Sequence, residues 1–366
     1  VSGAPRLALA GVHGHGRHHL QHARDLHEQG RIDLVAVCDP RDPGPLPPGV
    51  RHHPNLTVLL AAEAPAVTII ATPPHTHRAL TVAALRAGSD VLLEKPPVLD
   101  LATLEELLAL EAETGRRCQV GFQTMGSPAL HRLAELVADG GLGEVRGIGG
   151  QGAWTRTDAY YRRAPWAGRR RLHGEPVLDG ALSNPFAHTV HAALVAAGAQ
   201  RARPLGLDLE LFRARDIEAD DTGCVRLRFA AHPTVTVAVT LAAEQSTAPR
   251  LIAHGSTRRA ELAYEADLLT VDGEPVPTPP RSDLLANLLD FRADGTPLRS
   301  PLADCRTFTE VVAAIGDAPA PGRVPDRFLS EVDSGERRRV IVSGVDALVT
   351  ASAERMATFT ELGAPW

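Results

Sequence analysis

The sequence predicts an α/β protein: an N-terminal Rossmann doubly wound parallel sheet, followed by a C-terminal α+β domain with a largely antiparallel open sheet. Three observations carry this. Arg6 to Gly11 (RLALAG) is a short apolar run that passes at once into the turn-rich GVHGHGRHHL and then a helical segment to about Gly30. Strand-like runs of five to seven residues then alternate with helical runs of ten or more, the pattern of parallel strands joined by crossover helices. From Gly143 the rhythm changes to successive strands with few long helices between them, which favours antiparallel pairing.

The first loop supplies Gly14 and Gly16 as the opening glycines of a GxGxxG pattern, in which the backbone turns tightly and approaches a pyrophosphate at a helix N-terminus. His19 stands at the third place. Either the helix packs more loosely there, or the register is Gly11, Gly14 and Gly16; His15 lies inside the loop in both cases. The next strand, Asp33 to Cys38, runs into Asp39, placed to accept hydrogen bonds from the adenosine ribose. Arg41, two residues on, instead suits a 2′-phosphate, so NAD is expected first and NADP second. The plain alternative for Asp39 is a turn residue before Pro40.

The alternation continues with a strand at Ala66 to Ala71, a helix from about Thr76 to Ala87, a strand at Asp90 to Glu94, a helix at Leu101 to Thr114 and a strand at Cys118 to Phe122. Lys95 closes the run Val91-Leu92-Leu93-Glu94, and ligands bind beyond the carboxyl ends of parallel strands, so its charge is expected to face the cofactor. A solvated lysine at a strand end is the alternative. The domain boundary is drawn after residue 123, with a cofactor domain at 1–123 and a substrate-binding and oligomerisation domain at 124–366.

In the second part, Val145 to Arg156, Gly223 to Phe229, Val235 to Leu241, Leu251 to His254, Ala260 to Tyr264 and Leu268 to Val271 read as strands, and Pro301 to Ile315 and Arg338 to Leu362 as closing helices. Ser183-Asn184-Pro185 reads as a helix entry, with Asn184 as cap and Pro185 as first helical residue. Positions 184, 188 and 191 would then share one helix face. His188 is suited to take a hydroxyl proton, because imidazole titrates near neutrality, whereas His191 reads as a core histidine. The stretch AYYRRAPWAGRRRLHGEP carries Arg162, Arg163, Arg169, Arg170 and Arg171, which suit a carboxylate, a phosphate or a nucleotide-linked sugar; Trp166 and Arg169 are the candidate substrate contacts. A solvated loop is the alternative.

Three segments together resemble the glucose-fructose oxidoreductase and inositol dehydrogenase family, Gfo/Idh/MocA. ATPPHTHRALTVAALRAGSDVLLEKP is similar, from Thr72 through Pro96, to the family's TPxxxH segment, AL-x-AG helix end and EKP motif; the other two are the glycine loop with Asp39 and DGALSNPFAHTVH, Asp179 to His191. The resemblance implies that Lys95 lies near the nicotinamide and the reacting hydroxyl. It also implies that Thr72, Pro73, His77 and Glu94 join Gly11, Gly14, His15, Gly16, Asp39 and Arg41 around the cofactor, and that His188 is the general base. The implied reaction is hydride transfer between NAD(P) and a secondary alcohol or ketone of a sugar, cyclitol or related polyol, in a homodimer or homotetramer. The family's GGxxxDxxxHxxD appears here with Asp179-Gly180 for the glycine pair, Asn184 for the first aspartate and His191 for the last. Asn184 cannot ionise, so it is expected to orient substrate or imidazole. The other readings are a redox-assisted glycoside hydrolase or lyase without net cofactor turnover, and a non-catalytic dinucleotide-binding sensor.

Composition agrees with an enzyme of two domains: 366 residues exceed what one core usually holds. A net charge of -6 argues against a nucleic-acid partner, and no apolar run reaches the ~18 residues of a membrane span. Four isolated cysteines and no signal-peptide pattern lead to an expected cytoplasmic location. His13, His15, His18, His19 and His22 invite a metal reading, but zinc needs three or four converging ligands and this loop must admit phosphate, so no metal is expected.

Overall fold

A computed structural model describes residues 3–332 and 338–366. It divides into two units, Val1–Gly121 with Leu284–Ala303, and Phe122–Asp283 with Asp304–Trp366. No helix among the described residues is long and apolar enough to cross a membrane.

The first unit alternates β1 (Arg6–Ala10), α1 (Gly16–Glu28), β2 (Asp33–Cys38), β3 (Arg51–His53), α2 (Leu56–Glu63), β4 (Val67–Ile70), α3 (Pro74–Arg86), β5 (Asp90–Leu93), α4 (Leu101–Thr114) and β6 (Cys118–Val120). The strands form one parallel sheet in the order β3-β2-β1-β4-β5-β6. Its central strands, VTII and DVLL, are buried at every position because helices cover both faces of such a sheet. Helix α1 buries His19, Leu20, Ala23 and Leu26, a stripe at helical spacing that faces the sheet. Two elements carry no sequence signal. Strand β3 is a three-residue polar edge, and α2 has little separation of apolar and polar faces.

The expected boundary at 123 needs one correction. Residues 284–303, assigned from sequence to the second domain, belong to the first unit. Leu284, Leu285, Leu288 and Leu289 are buried, Arg292 pairs with Asp90, and Gln119 bonds the backbone of both Leu284 and Ser300. These contacts span more than 160 residues of sequence, so no local pattern announces them.

The second unit comprises α5 (Pro128–Ala138), β7 (Val145–Thr155), α6 (Asp158–Tyr161), the hairpin β8 (Arg171–Leu172) and β9 (Glu175–Pro176), and α7 (Ala187–Ala196). Strands β10 (Gly206–Arg213), β11 (Thr222–Arg228), β12 (Thr234–Thr240), β13 (Ala242–Gly255), β14 (Arg259–Ala263), β15 (Leu268–Val271) and β16 (Glu274–Val276) follow. After α8 (Leu284–Asp294) of the first unit come α9 (Arg306–Asp317), β17 (Gly322–Arg323), β18 (Leu329–Val332), β19 (Arg339–Val342) and α10 (Val345–Arg355). Nine strands form a mixed sheet, β16-β15-β14-β13-β7-β12-β11-β10-β17, antiparallel except at β7/β12 and β10/β17.

Strand β7, VRGIGGQGAWT, is glycine-rich because helices press on both its faces. A Cβ on Gly149 would lie 2.1 Å from the Ala353 carbonyl of α10, and one on Gly152 would meet the Phe186 ring at 2.2 Å. Residues 149 and 152 point to opposite faces, so α10 and the start of α7 sandwich the sheet.

The expected closing helix over 338–362 is instead a strand and a shorter helix. Arg339–Val342 (RVIV) pairs antiparallel with β18, and Gly344, in the left-handed region at φ 75°, turns the chain into α10. The β-branched run with alternating burial outweighs its helical neighbourhood. The other closing helix begins with a 3-10 turn at Leu302–Cys305 before α9.

Candidate functional site

In the first unit the strand order reverses between β1 and β4, which opens a crevice at the carboxyl edge where parallel sheets bind ligands. The loop after β1 lines that edge. A Cβ on Gly11 would lie 2.4 Å from the Ala71 carbonyl oxygen, and one on Gly16 2.1 Å from the Gly11 carbonyl oxygen; Gly14 has φ 58°. The register is therefore Gly11, Gly14 and Gly16, the second of the two alternatives read from sequence. The first turn of α1 has no acidic residue, so no side-chain carboxylate there repels an anion from the positive end of the helix. Gly16→Ala should push the loop off β1, weakening NADH binding at least tenfold in a fluorescence titration while lowering Tm by a few degrees.

Asp39 follows β2 and is buried. Its carboxylate accepts from the Val12 and Arg41 N–H groups and from Arg41 Nε at 3.2, 3.0 and 3.2 Å. Burial opposes ionisation, but these bonds prevail and hold the carboxyl below its usual range. Arg41 is thus engaged with Asp39.

Glu94 and Lys95 follow β5 directly. Glu94 accepts from the Lys95 N–H at 3.2 Å through Oε2, while Oε1 lies 2.7 Å from His19 Nε2 and 3.4 Å from His15 Nε2. Burial alone would raise this carboxyl, yet the two imidazoles hold it well below the usual carboxylate range. His19 thereby ties α1 to the end of β5, so looser packing, the first of the two alternatives read from sequence, does not hold. His77 departs from expectation too. It is buried, with one ring nitrogen on the Thr72 carbonyl and the other on the Pro96 carbonyl, so it ties two loops together and has no atom to offer a dinucleotide. Thr72 bonds Thr76 at 2.6 Å, and Pro73 caps α3.

In the second unit His188 sits in the first turn of α7, half-buried, edge-on to the Phe122 ring at 5.7 Å between centroids. His191 is a core histidine as read from sequence: fully buried, stacked on Phe122 at 4.0 Å, and pushed down to about 4 by burial, hence neutral. The helix entry is different from that expected. Helix α7 starts at Ala187 with Phe186 as its cap residue, so Asn184 is neither cap nor part of the helix face of His188 and His191. Its side chain is engaged elsewhere: Nδ2 donates to Asp179 Oδ1.

Asp179 is the residue that sequence reasoning passed over. Its side chain is 1% exposed, and besides Asn184 it accepts from Arg163 at 2.8 Å and from the Gly168 N–H at 2.7 Å. Arg163 lies over the Tyr160 ring at 3.7 Å and near the Trp166 ring at 4.7 Å. The signal was present in the motif. An aspartate stands where the family has glycine, five residues before an asparagine that stands where the family has aspartate.

The remaining arginines of that stretch are mostly occupied within the unit. Arg170 bonds the carbonyls of Ile315, Ala318 and Pro319 at the end of α9, Arg171 bonds the Gly174 carbonyl, and Arg169 lies 3.6 Å from Glu218. Arg169 and Arg162 remain exposed at the surface.

Among the described residues, then, the first unit gathers Gly11, Gly14, His15, Gly16, Asp39, Arg41, Thr72, Glu94 and Lys95 at the strand ends. The second gathers Arg163, Trp166, Asp179, Asn184 and His188 before and at the start of α7. The glycine cradle and the buried carboxylate after β2 fit a dinucleotide.

Comparison with known proteins agrees. Residues 6–122 match the model described as oxidoreductase family, NAD-binding Rossmann fold, and residues 130–261 match the GFO/IDH/MocA C-terminal domain. An inositol 2-dehydrogenase from Leifsonia xyli subsp. xyli is 32% identical over 143 residues, 38% of this chain and 42% of that protein. An uncharacterized oxidoreductase from Rhizobium meliloti is 37% identical over 89 residues, 24% of this chain and 26% of that protein. The chain thus spans less than half the length of these curated relatives. In fold it is similar to the WlbA dehydrogenase from Bordetella pertussis, solved with NADH and UDP-GlcNAcA (TM-score 0.71, 21% identity, 85% of this chain and 95% of that one). It is also similar to the UDP-N-acetylglucosamine 3-dehydrogenase GnnA from Acidithiobacillus ferrooxidans (TM-score 0.66, 18% identity, 85% and 96%). The two family models together cover more than half of the sequence. The chain belongs to the Gfo/Idh/MocA family of oxidoreductases, with an NAD-binding Rossmann domain.

Proposed function

We propose that the protein is an NAD-dependent dehydrogenase that oxidises a secondary alcohol of a sugar or cyclitol, or reduces the corresponding ketone. The observation that carries this reading is Lys95 at the carboxyl end of β5, in the unit whose glycine loop and Asp39 are shaped for a dinucleotide. Gly11, Gly14, Gly16 and the N-terminus of α1 would hold the pyrophosphate, and Asp39 the adenosine ribose. When bound, the nicotinamide accepts or donates hydride at C4. Lys95 hydrogen-bonds the reacting oxygen and stabilises its developing charge, while His188 Nε2 or Nδ1 takes the hydroxyl proton in the oxidative direction. Asn184, its amide oriented by Asp179, positions substrate or imidazole. The names of the relatives, an inositol dehydrogenase and dehydrogenases of nucleotide-linked amino sugars, support a polyhydroxylated substrate.

NAD is favoured over NADP because Asp39 is ionised and already pairs with Arg41, so a 2′-phosphate would meet a carboxylate. Asp39→Ala should weaken NAD binding by about 10- to 100-fold, the worth of one or two charge-assisted hydrogen bonds, and should improve the NADP/NAD ratio. The test of the activity is a panel of cyclitols, sugars and UDP-sugars, followed by absorbance of the reduced nicotinamide. Net reduction of NAD with at least one substrate is expected. Tight dinucleotide binding with no turnover across the panel would overturn the assignment.

A further inference from the structure

We propose that His15, His19 and Glu94 form a binding site for a divalent transition-metal ion such as Zn2+, and that its occupancy opposes loading of the dinucleotide. The second half rests on the reading of the glycine loop given above; the first stands on geometry alone.

Three ligand atoms, His15 Nε2, His19 Nε2 and Glu94 Oε1, lie within 4.8 Å of one another, all in the first unit. Two imidazole nitrogens and a carboxylate oxygen are a donor set that Zn2+, Co2+, Ni2+ and Cu2+ accept and that Mg2+ and Ca2+ avoid. A tetrahedral ion about 2.0–2.1 Å from each ligand sets the ligand atoms roughly 3.4 Å apart. His15 Nε2 is already 3.4 Å from Glu94 Oε1, and the 2.7 Å between His19 Nε2 and the same oxygen has to open by less than an ångström. The two imidazole nitrogens, within 4.8 Å of each other, have to come to about the same spacing, and His15 is exposed, which leaves its ring room to turn.

The arrangement follows from the backbone. His15 and His19 are four residues apart at the start of α1, hence neighbours on one helix face. Glu94 is fixed at the end of β5 with Oε2 held by the Lys95 N–H, which leaves Oε1 toward the imidazoles. The carboxylate is buried and ionised, and His15 is raised above its ordinary value by its bond to Glu94 despite partial burial. The positive end of α1 works weakly against a cation, a small term beside three-ligand chelation. Three protein ligands leave a fourth position for water, the arrangement of an open site.

Opposition to the dinucleotide comes from the same residues. His15 lies between Gly14 and Gly16, whose backbone must approach the pyrophosphate, and an imidazole drawn onto an ion at Glu94 fixes that loop.

The test uses the purified full chain without substrate, so it does not depend on turnover. Co2+ should bind at one equivalent with the visible absorption of a tetrahedral site, and Zn2+ should displace it. His15→Gln and His19→Gln should each weaken binding more than tenfold, whereas His18→Gln with His22→Gln should leave it unchanged. His15 is exposed, so its variant is informative even if loss of the buried His19 lowers stability. Saturating Zn2+ should raise the Kd for NADH at least tenfold, reversibly with EDTA, and less so in His15→Gln. Absence of the tetrahedral spectrum, or its survival in both single variants, would overturn the site. An unchanged or tighter NADH Kd with the ion bound would overturn the opposition while leaving the dinucleotide reading intact.

Discussion

Replacing His188 with glutamine lowers kcat by about 10²- to 10⁴-fold, the usual worth of a positioned general acid–base, with little change in NADH affinity. Glutamine keeps the polar contact and removes only the proton acceptor, and the half-buried first-turn position tolerates it without leaving a cavity. The acidic limb of kcat/KM should flatten with it, because the group that must be unprotonated for oxidation is gone. Lys95→Met should cost a comparable factor, since methionine fills the space but cannot bond a developing oxyanion. The two residues belong to different units of the chain. If both serve one oxygen, the double variant should fall much less than the product of the single losses. Multiplicative losses, or a His188→Gln enzyme at wild-type rate, would dissolve that assignment.

The parts of this molecule that were legible in sequence are those fixed within a few residues. Strand, glycine loop and helix at 6–28 follow one another; Gly16 answers to the Gly11 carbonyl five residues earlier, and Gly14 to its own positive φ. Strands β4 and β5 read as apolar runs because both faces are covered. What was illegible depends on contacts that cross the chain. Helix α8 returns to β6 through Gln119, which no pattern near residue 284 announces. Asn184 looked like a helix cap because Ser-Asn-Pro is a good entry in isolation; the helix instead starts at Ala187, and the amide of Asn184 donates to a buried carboxylate five residues earlier. The arginines around 163–171 looked available to a substrate, yet Arg163 and Arg170 are committed to Asp179 and to the end of α9. His77 kept its place in the motif, but burial turned it into a structural bridge.

Asn184→Asp should damage the enzyme even though it restores the family's residue, and Asp179→Gly in the same chain should repair it. Asn184 Nδ2 donates to Asp179, so an aspartate there would set a second carboxylate against one that is already 1% exposed. Two carboxylates at that spacing do not both ionise, and one is driven well above its ordinary range. The single guanidinium of Arg163 is shared between them and cannot neutralise both. The single variant should therefore lose at least tenfold in kcat/KM at neutral pH and show a new ionisation above the usual carboxylate range, below which activity recovers, because a protonated carboxyl at 184 donates to Asp179 as the Asn184 amide does. Asp179→Gly removes the competing charge and leaves the carboxylate of residue 184 to ionise normally beside α7. Arg163 loses its partner in that double variant, but it is 26% exposed and stacked on Tyr160, so water and the ring can take up its charge. Recovery of most of the lost kcat/KM and disappearance of the new ionisation are expected. Additive losses in the double variant would mean that the two departures from the family pattern are unrelated, and that the carboxylate at 179 does not stand in for the one missing at 184.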